Sequence, residues 1–286
     1  MQWKAYKVNE QIRITRFYSL FRGVRSKEYS YEGETHPFWE CVYVIDGSIC
    51  ASADDKIYNI NAGELIFHKP LELHKLSVTG NKPATIFIFS FSAVGELCDF
   101  FEGKVFYLSN KQRQIIDDMI AYMQDKLDLV DIEYNEYSET KMYLDAFEAI
   151  PHYSQAVLNQ IYNLFFSLYE SNSTLSVSAS HSSLIFSEAV NYMNENIRDN
   201  PAIPDISRSV GISQAGLKNI FRKYAGMGIH KYFIKLKLKT AAEMIANGIS
   251  VTETAEQLGF SSQGYFTKCF KREMNYLPSE IVKKRR

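Results

Sequence analysis

An internal repeat near the C-terminal end constrains this chain more than any other feature. "IPDISRSVGISQAGLKNIFRKYAG" runs from Ile203 to Gly226, and "VTETAEQLGFSSQGYFTKCFKREMN" from Val251 to Asn275. Ile203, Asp205, Val210 and Gly211 match Val251, Glu253, Leu258 and Gly259 at one fixed offset. Past the glycine the offset grows by one. Ser213, Gln214, Leu217, Phe221 and Arg222 then match Ser262, Gln263, Phe266, Phe270 and Lys271. In each copy a short helical stretch ends at a glycine and a serine can cap the next helix. Phe266 and Phe270 are four apart and share one helix face, while Lys268, Lys271 and Arg272 fall mainly on other faces. A short helix, a tight turn and a second helix with a basic outer face make the pattern of a helix-turn-helix, whose second helix enters the DNA major groove.

The segment between the copies, "IHKYFIKLKLKTAAEMIAN" from Ile229 to Asn247, is apolar at Phe233, Leu236, Leu238, Ala241, Met244 and Ile245. That periodicity is helical. "KLKLK" alternates like a strand, but the Ala-Ala-Glu-Met run beside it favours helix. A helix of this length is about 28 Å long, and successive major-groove faces lie about 34 Å apart. Such a rod suits two recognition helices set one DNA turn apart.

These motifs carry a family resemblance. Ser182 to Arg286 resembles the paired helix-turn-helix domain of the AraC family of bacterial transcription regulators, with "LPSEI" following the second copy as the family signature requires. The sequence departs from that pattern at Lys237, where the family usually has an arginine, at Thr254, usually aliphatic, and at Ser207, usually alanine. The first recognition helix is expected from about Gln214 to Tyr224, with Leu217, Ile220 and Phe221 inward and Gln214, Ala215, Lys218 and Asn219 toward the groove. Lysine suits guanine O6 and N7, asparagine suits adenine, and an alanine methyl suits the thymine methyl. In the second helix Gln263, Gly264, Thr267 and Lys268 take the groove side. Arg222, Lys223, Lys237, Lys271 and Arg272 are placed for phosphates.

Charge is split between the halves. From His181 onward there are 16 Lys and Arg against 9 Asp and Glu, a net of +7, and the rest of the chain carries −8. The basic half suits a phosphate backbone and the acidic half does not. Cys41, Cys50, Cys98 and Cys269 form no Cys-x-x-Cys or Cys/His pattern, which reads as reduced thiols in a cytoplasmic protein. The opening "MQWKAYKVNEQIRI" holds no apolar run of the secretory type, and no stretch reaches membrane-spanning length.

Between Phe38 and Phe91 the text turns β-like. "WECVYVI", "KIYNI", "GELIFHK" and "ATIFIFSF" are short, β-branched and aromatic, and turn residues separate them. "THPFWECVYVIDG" followed by "AGELIFHKPLELHKL" is similar to the two motifs of a cupin barrel, found in the sensor half of many AraC-family regulators. His36, Glu40 and His74 occupy positions that bind metal in enzymatic cupins. Glu34, however, stands at the first histidine of that motif, and Glu72 replaces the glycine expected near His74. The expectation is therefore a small-ligand pocket at Glu34, His36, Trp39, Glu40 and His74, with no metal or other cofactor assigned.

Two apolar seams follow: Ile116, Ile120, Met123, Leu127 and Val130, then Val157, Ile161, Leu164 and Leu168. They step by four and three like a coiled coil. Each is able to pack on the barrel, and in the resembled family such helices commonly form a dimer. The expected class is α+β in several domains. A cupin-like barrel occupies residues 1–105, a helical dimerisation segment 106–170 and a linker 171–183. An all-α domain with two helix-turn-helix motifs occupies 184–286. The implied protein is a non-enzymatic, homodimeric cytoplasmic regulator. Its expected partners are double-stranded DNA and a small-molecule effector, with RNA polymerase as a further candidate and no membrane. The rivals are a metal-dependent cupin enzyme with a DNA-binding appendage and a ligand-independent regulator controlled by a protein partner.

Overall fold

The computed structural model describes residues 5–31, 33–126, 136–171, 174 and 180–283. Strands β1 (Arg13–Arg25), β2 (Trp39–Asp46), β3 (Ser48–Ala53), β4 (Lys56–Asn61), β5 (Glu64–His68), β6 (His74–Val78), β7 (Ala84–Val94) and β8 (Val105–Tyr107) form two antiparallel sheets. One has the order β1-β7-β2-β5-β8 and the other β4-β3-β6. Strand alternation explains why the larger sheet is buried on both faces. Val42, Val44, Ile66, Ile86 and Ile88 point to the smaller sheet, where they meet Ile49, Ala51 and Ile60. Cys41, Tyr43, Phe67, Phe87, Phe89 and Phe91 point the other way, into a second core. Gly47, at φ +80°, makes the turn from β2 to β3, and its missing Cβ would lie 2.6 Å from the Pro83 carbonyl.

Helices cover that second core. A short α1 (Cys98–Phe101) is followed by α2 (Asn110–Lys126), α3 (Glu136–Ala149) and α4 (Tyr153–Ser171). Ile116, Met123, Val157, Ile161, Leu164 and Leu168 are all fully buried in this one cluster, and Phe165 packs on Phe67, Phe89, Phe91 and Phe101. The described residues of both seams thus pack inside the protomer, as the lid of the barrel. Leu127 and Val130 lie outside the described residues. The 13-residue β1 is a strand that the sequence pattern did not announce.

The C-terminal part is helical: α5 (His181–Glu195), α6 (Ile203–Ser209), α7 (Gln214–Ala225), α8 (Ile229–Ala246), α9 (Val251–Gln257), α10 (Gln263–Met274) and α11 (Pro278–Lys283). "KLKLK" lies within α8. The first half of α8, through Ile229, Tyr232, Phe233 and Leu236, belongs to one core with Phe186, Leu217 and Phe221. Its second half, through Leu238, Ala241 and Ile245, belongs to another with Phe266 and Phe270. One rod therefore serves two small helical cores.

Truncation tests the placement of α4. Ile161→Ala should cost about 2–5 kcal/mol in urea unfolding, because a fully buried side chain leaves a cavity. A loss under about 1 kcal/mol together with a change of oligomeric state would return this helix to an intersubunit role.

Candidate functional site: sensor pocket and nucleic-acid interface

The two repeat copies fold alike because their punctuation is alike. Gly211 and Gly259, at φ +68° and +63°, make the turns between α6 and α7 and between α9 and α10. At Gly259 a Cβ would lie 2.5 Å from the Arg198 carbonyl, so a side chain is excluded by space as well as by φ. Ser213 caps α7 by accepting from the Gly216 N–H, and Ser262 caps α10 by accepting from the Tyr265 N–H. With both helices started at the same point, Leu217 and Phe221 in one and Phe266 and Phe270 in the other turn inward.

The outward faces carry the expected DNA-contacting residues. Gln214, Ala215, Lys218, Asn219, Arg222 and Lys223 are exposed along α7. Gln263, Gly264, Lys268, Lys271 and Arg272 are exposed along α10, and Thr267 is half-buried. Gln263 is tied to α9 by a 3.0 Å bond from the Thr252 hydroxyl to its Oε1, and Arg272 Nε donates to Glu273 at 2.8 Å.

Lys237 departs from expectation. It is only 1% exposed and does not face solvent as a phosphate contact would. Its Nζ donates to the Leu258 carbonyl at 2.6 Å and to Asn200 Oδ1, and sits over the rings of Phe233 (5.0 Å) and Phe260 (5.4 Å). Burial lowers its pKa to about 8. The residue bolts α8 to the turn between α9 and α10, and Asn200 reaches the same turn through the Gly259 carbonyl. The buried charge of a lysine on a helix rod is invisible to a periodicity argument.

The second site lies inside the barrel. Glu34, His36, Glu40 and His74 converge in a cavity of about 240 Å³ that also presents Tyr18, Arg25, Tyr29, Tyr31 and Ser90. Glu34 and His74 are locked by an antiparallel bridge, with Glu34 N–H to His74 O at 2.9 Å and His74 N–H to Glu34 O at 3.0 Å. Glu40 comes from β2 and is held by the Ser90 hydroxyl of β7 at 3.2 Å. Trp39, expected beside it, is 6% exposed and belongs to the helix-covered core instead. Neighbours in a strand point to opposite faces, so Trp39 and Glu40 cannot share a cavity. Of the aromatic lining, Tyr18 was missed because β1 was not recognised, and Tyr29 and Tyr31 lie beyond the end of that strand.

The electrostatics of this cavity are strong. Burial alone would strip the charge from His74. The Glu34 and Glu40 carboxylates, each 3.6 Å from its Nε2, overcome that and push its pKa up to about 9. Burial likewise opposes charge on Glu40, yet His36 and His74 bring it down to about 2. Burial and the Glu34 carboxylate push the Tyr31 hydroxyl up to about 12, so it remains a donor, 3.2 Å from Glu34 Oε2. Beside the cluster His68 stacks on His74 at 4.5 Å, and its Nδ1 lies 2.8 Å from Glu72.

Lys237→Ala should destabilise the fold by about 1–3 kcal/mol, since it strands the Leu258 carbonyl and Asn200. It should leave the salt dependence of DNA affinity at the wild-type slope. Arg222→Ala should instead keep the melting temperature and flatten that slope by about one unit. Thermal unfolding and binding at several salt concentrations check both; a flattened slope for Lys237→Ala would put that side chain back on the DNA backbone.

Comparison with known proteins agrees with this division. A family model described as an AraC-like ligand binding domain matches residues 18–103, and one described as a helix-turn-helix domain matches residues 206–284. The chain is 30% identical over 83 residues to the HTH-type transcriptional regulator YidL of Escherichia coli, covering 29% of this chain and 28% of that protein. It thus spans less than two thirds of that relative's length. The HTH-type transcriptional activator RhaR of Mannheimia succiniciproducens is 22% identical over 254 residues, with 86% of this chain and 84% of that protein covered. ToxT from Vibrio cholerae, a solved structure, aligns over 95% of this chain and 97% of its own at 14% identity and a TM-score of 0.39. With two matched domains that together span more than half of its length, this chain belongs to the AraC-type helix-turn-helix transcription regulators.

Proposed function

We propose that the chain is a sequence-specific regulator of transcription that reads double-stranded DNA with α7 and α10 and is controlled by a small molecule held in the barrel. The observation that carries this reading is the pair of identically capped helices, each with a buried apolar face and an exposed polar and basic face, on one shared rod. Lys218 and Asn219 read base edges in the first head and Lys268 in the second. Arg222, Lys223, Lys271 and Arg272 grip phosphates. Gly264 offers no side chain, so the second head discriminates less.

Contacts between the halves supply a route for control. Lys75 Nζ donates to the carbonyls of Arg222 (3.1 Å) and Lys223 (2.7 Å), which closes the last turn of α7 with a cation. A Cβ on Gly33 would lie 2.5 Å from the Ala225 carbonyl. Lys75 and Gly33 are the immediate neighbours of His74 and Glu34. On the turn from β3 to β4, Asp54 pairs with Lys239 and accepts from the Tyr232 hydroxyl at its carbonyl, 3.0 Å away. Leu73 inserts into the core of the first head. A ligand that shifts the Glu34–His74 bridge therefore acts on the end of the first recognition helix.

The working unit of this reading is a cytoplasmic homodimer that meets RNA polymerase at its promoter and carries out no reaction of its own. Phe166 and Tyr169 on α4, exposed at 42% and 54%, offer apolar surface for that dimer. Among the described residues no helix is long and apolar enough to cross a membrane.

Operator mutagenesis tests the division of labour. Lys218→Ala or Asn219→Ala should cost about 1–3 kcal/mol on the selected site and relax preference at one or two base pairs. Equal losses on every DNA sequence would remove the base-reading role.

A further inference from the structure

We propose that Thr252, on the first helix of the second head, sets which base Gln263 accepts. Its hydroxyl makes the glutamine a donor toward DNA and directs the second head to guanine at that base pair. This role rests on α10 being a reading helix, as proposed above, and on one contact inside the head.

Thr252 lies in the first turn of α9, and Gln263 is the first residue of α10. The N-terminal residues of a recognition helix are the ones that reach base edges. Gln263 is exposed there, and its Oε1 stands 3.0 Å from the Thr252 hydroxyl. An amide oxygen only accepts, so the hydroxyl donates. Ser250 caps α9 by accepting from the Glu253 N–H, and Ser262 caps α10 by accepting from the Tyr265 N–H. Both ends of the bridge therefore stand on fixed helix starts.

A glutamine amide with no fixed neighbour turns over and reads either way. With Oε1 and Nε2 together it meets adenine N6 and N7. With the oxygen alone it meets cytosine N4, and with the nitrogen alone guanine O6 or N7. The Thr252 hydroxyl removes that freedom. It occupies one of the two lone pairs on Oε1 and holds that end toward α9, which leaves Nε2 as the end able to turn to the groove. A bond accepted at the carbonyl also polarises the amide and strengthens its N–H donors, the more so once DNA excludes water from the contact. Two donors and a half-used acceptor suit the O6 and N7 acceptors of guanine better than the donor and acceptor of adenine, and suit cytosine least.

The first head has a different residue at this place. Ile203 matches Val251 in the repeat, so Pro204 stands where Thr252 does, and proline has no hydroxyl. Gln214, the counterpart of Gln263, therefore receives no such bond from position 204 and keeps adenine within its reach. The same glutamine in two heads on one rod is thus given two preferences by the residue behind it.

The test uses the full chain on a DNA site selected from genomic fragments, with every position of that site changed in turn to each other base pair. Gln263→Ala identifies the pair that this residue reads, as the position where preference flattens. There the wild type should favour guanine over adenine. Thr252→Val keeps the shape, loses the hydroxyl and should lower that ratio about threefold to tenfold, the worth of one hydrogen bond. Thr252→Ser keeps the hydroxyl and should restore the wild-type ratio. A hydroxyl that merely stabilised α9 would shift the melting temperature and the affinity for every sequence alike, and would leave the ratio unmoved. Adenine favoured by the wild type, or an unchanged ratio in Thr252→Val, overturns the role of Thr252. If Gln263→Ala flattens no position while Lys268→Ala does, the second head still reads DNA and Thr252 has no part in it. If neither does, α10 is not a reading helix and both readings fall.

Discussion

Strand alternation at two short stretches ties this molecule together. Glu34 and His74 face into the barrel, bridged backbone to backbone, while their neighbours Gly33 and Lys75 face out onto the end of α7. A period of two leaves no alternative once one side is fixed. The pocket wall and the clamp on the first recognition helix are therefore the same pieces of chain. Lys75 is 6% exposed and spends its charge on two helix-terminal carbonyls, so displacing it costs solvation as well as hydrogen bonds.

The DNA-reading half is organised by α8 rather than by a single core. Each half of α8 closes one helix-turn-helix, and Lys237 fixes the second unit to the rod from inside. The sensor barrel leans mainly on the first unit, through Leu73, Lys75 and the Asp54 turn. Any change in the pocket is thus expected to reach the first head before the second. In the proposed reading this asymmetry matches the heads, since the first exposes Lys218 and Asn219 and the second exposes Gly264 at the corresponding helix face.

Much of this was legible from residues alone, and the failures are physically consistent. The repeat, the turn glycines and the capping serines are local signals, and the fold follows them. Glu34, His36, Glu40 and His74 were found because cupin-like motifs fix their spacing. Trp39 was misplaced because a motif was read as a patch rather than as alternating faces. β1 escaped notice because its register shifts between Ile14 and Arg16 and between Phe17 and Ser19 break the alternation of apolar and polar positions. The seams on α2 and α4 have coiled-coil spacing, but spacing does not tell whether the partner is another chain or the back of a sheet. Lys237 shows the same limit for charge: composition counts it as basic surface, and only packing reveals that it is buried.

In the proposed function, two structurally equivalent heads on one rod read adjacent turns of DNA. Hydroxyl-radical protection mapping of the full chain on a DNA site selected from genomic fragments tests it most directly. Each protomer should give two protected tracts on one face of the duplex, centred about 10 base pairs apart, one helical turn. A single protected tract per protomer, or two tracts on opposite faces of the helix, would contradict it.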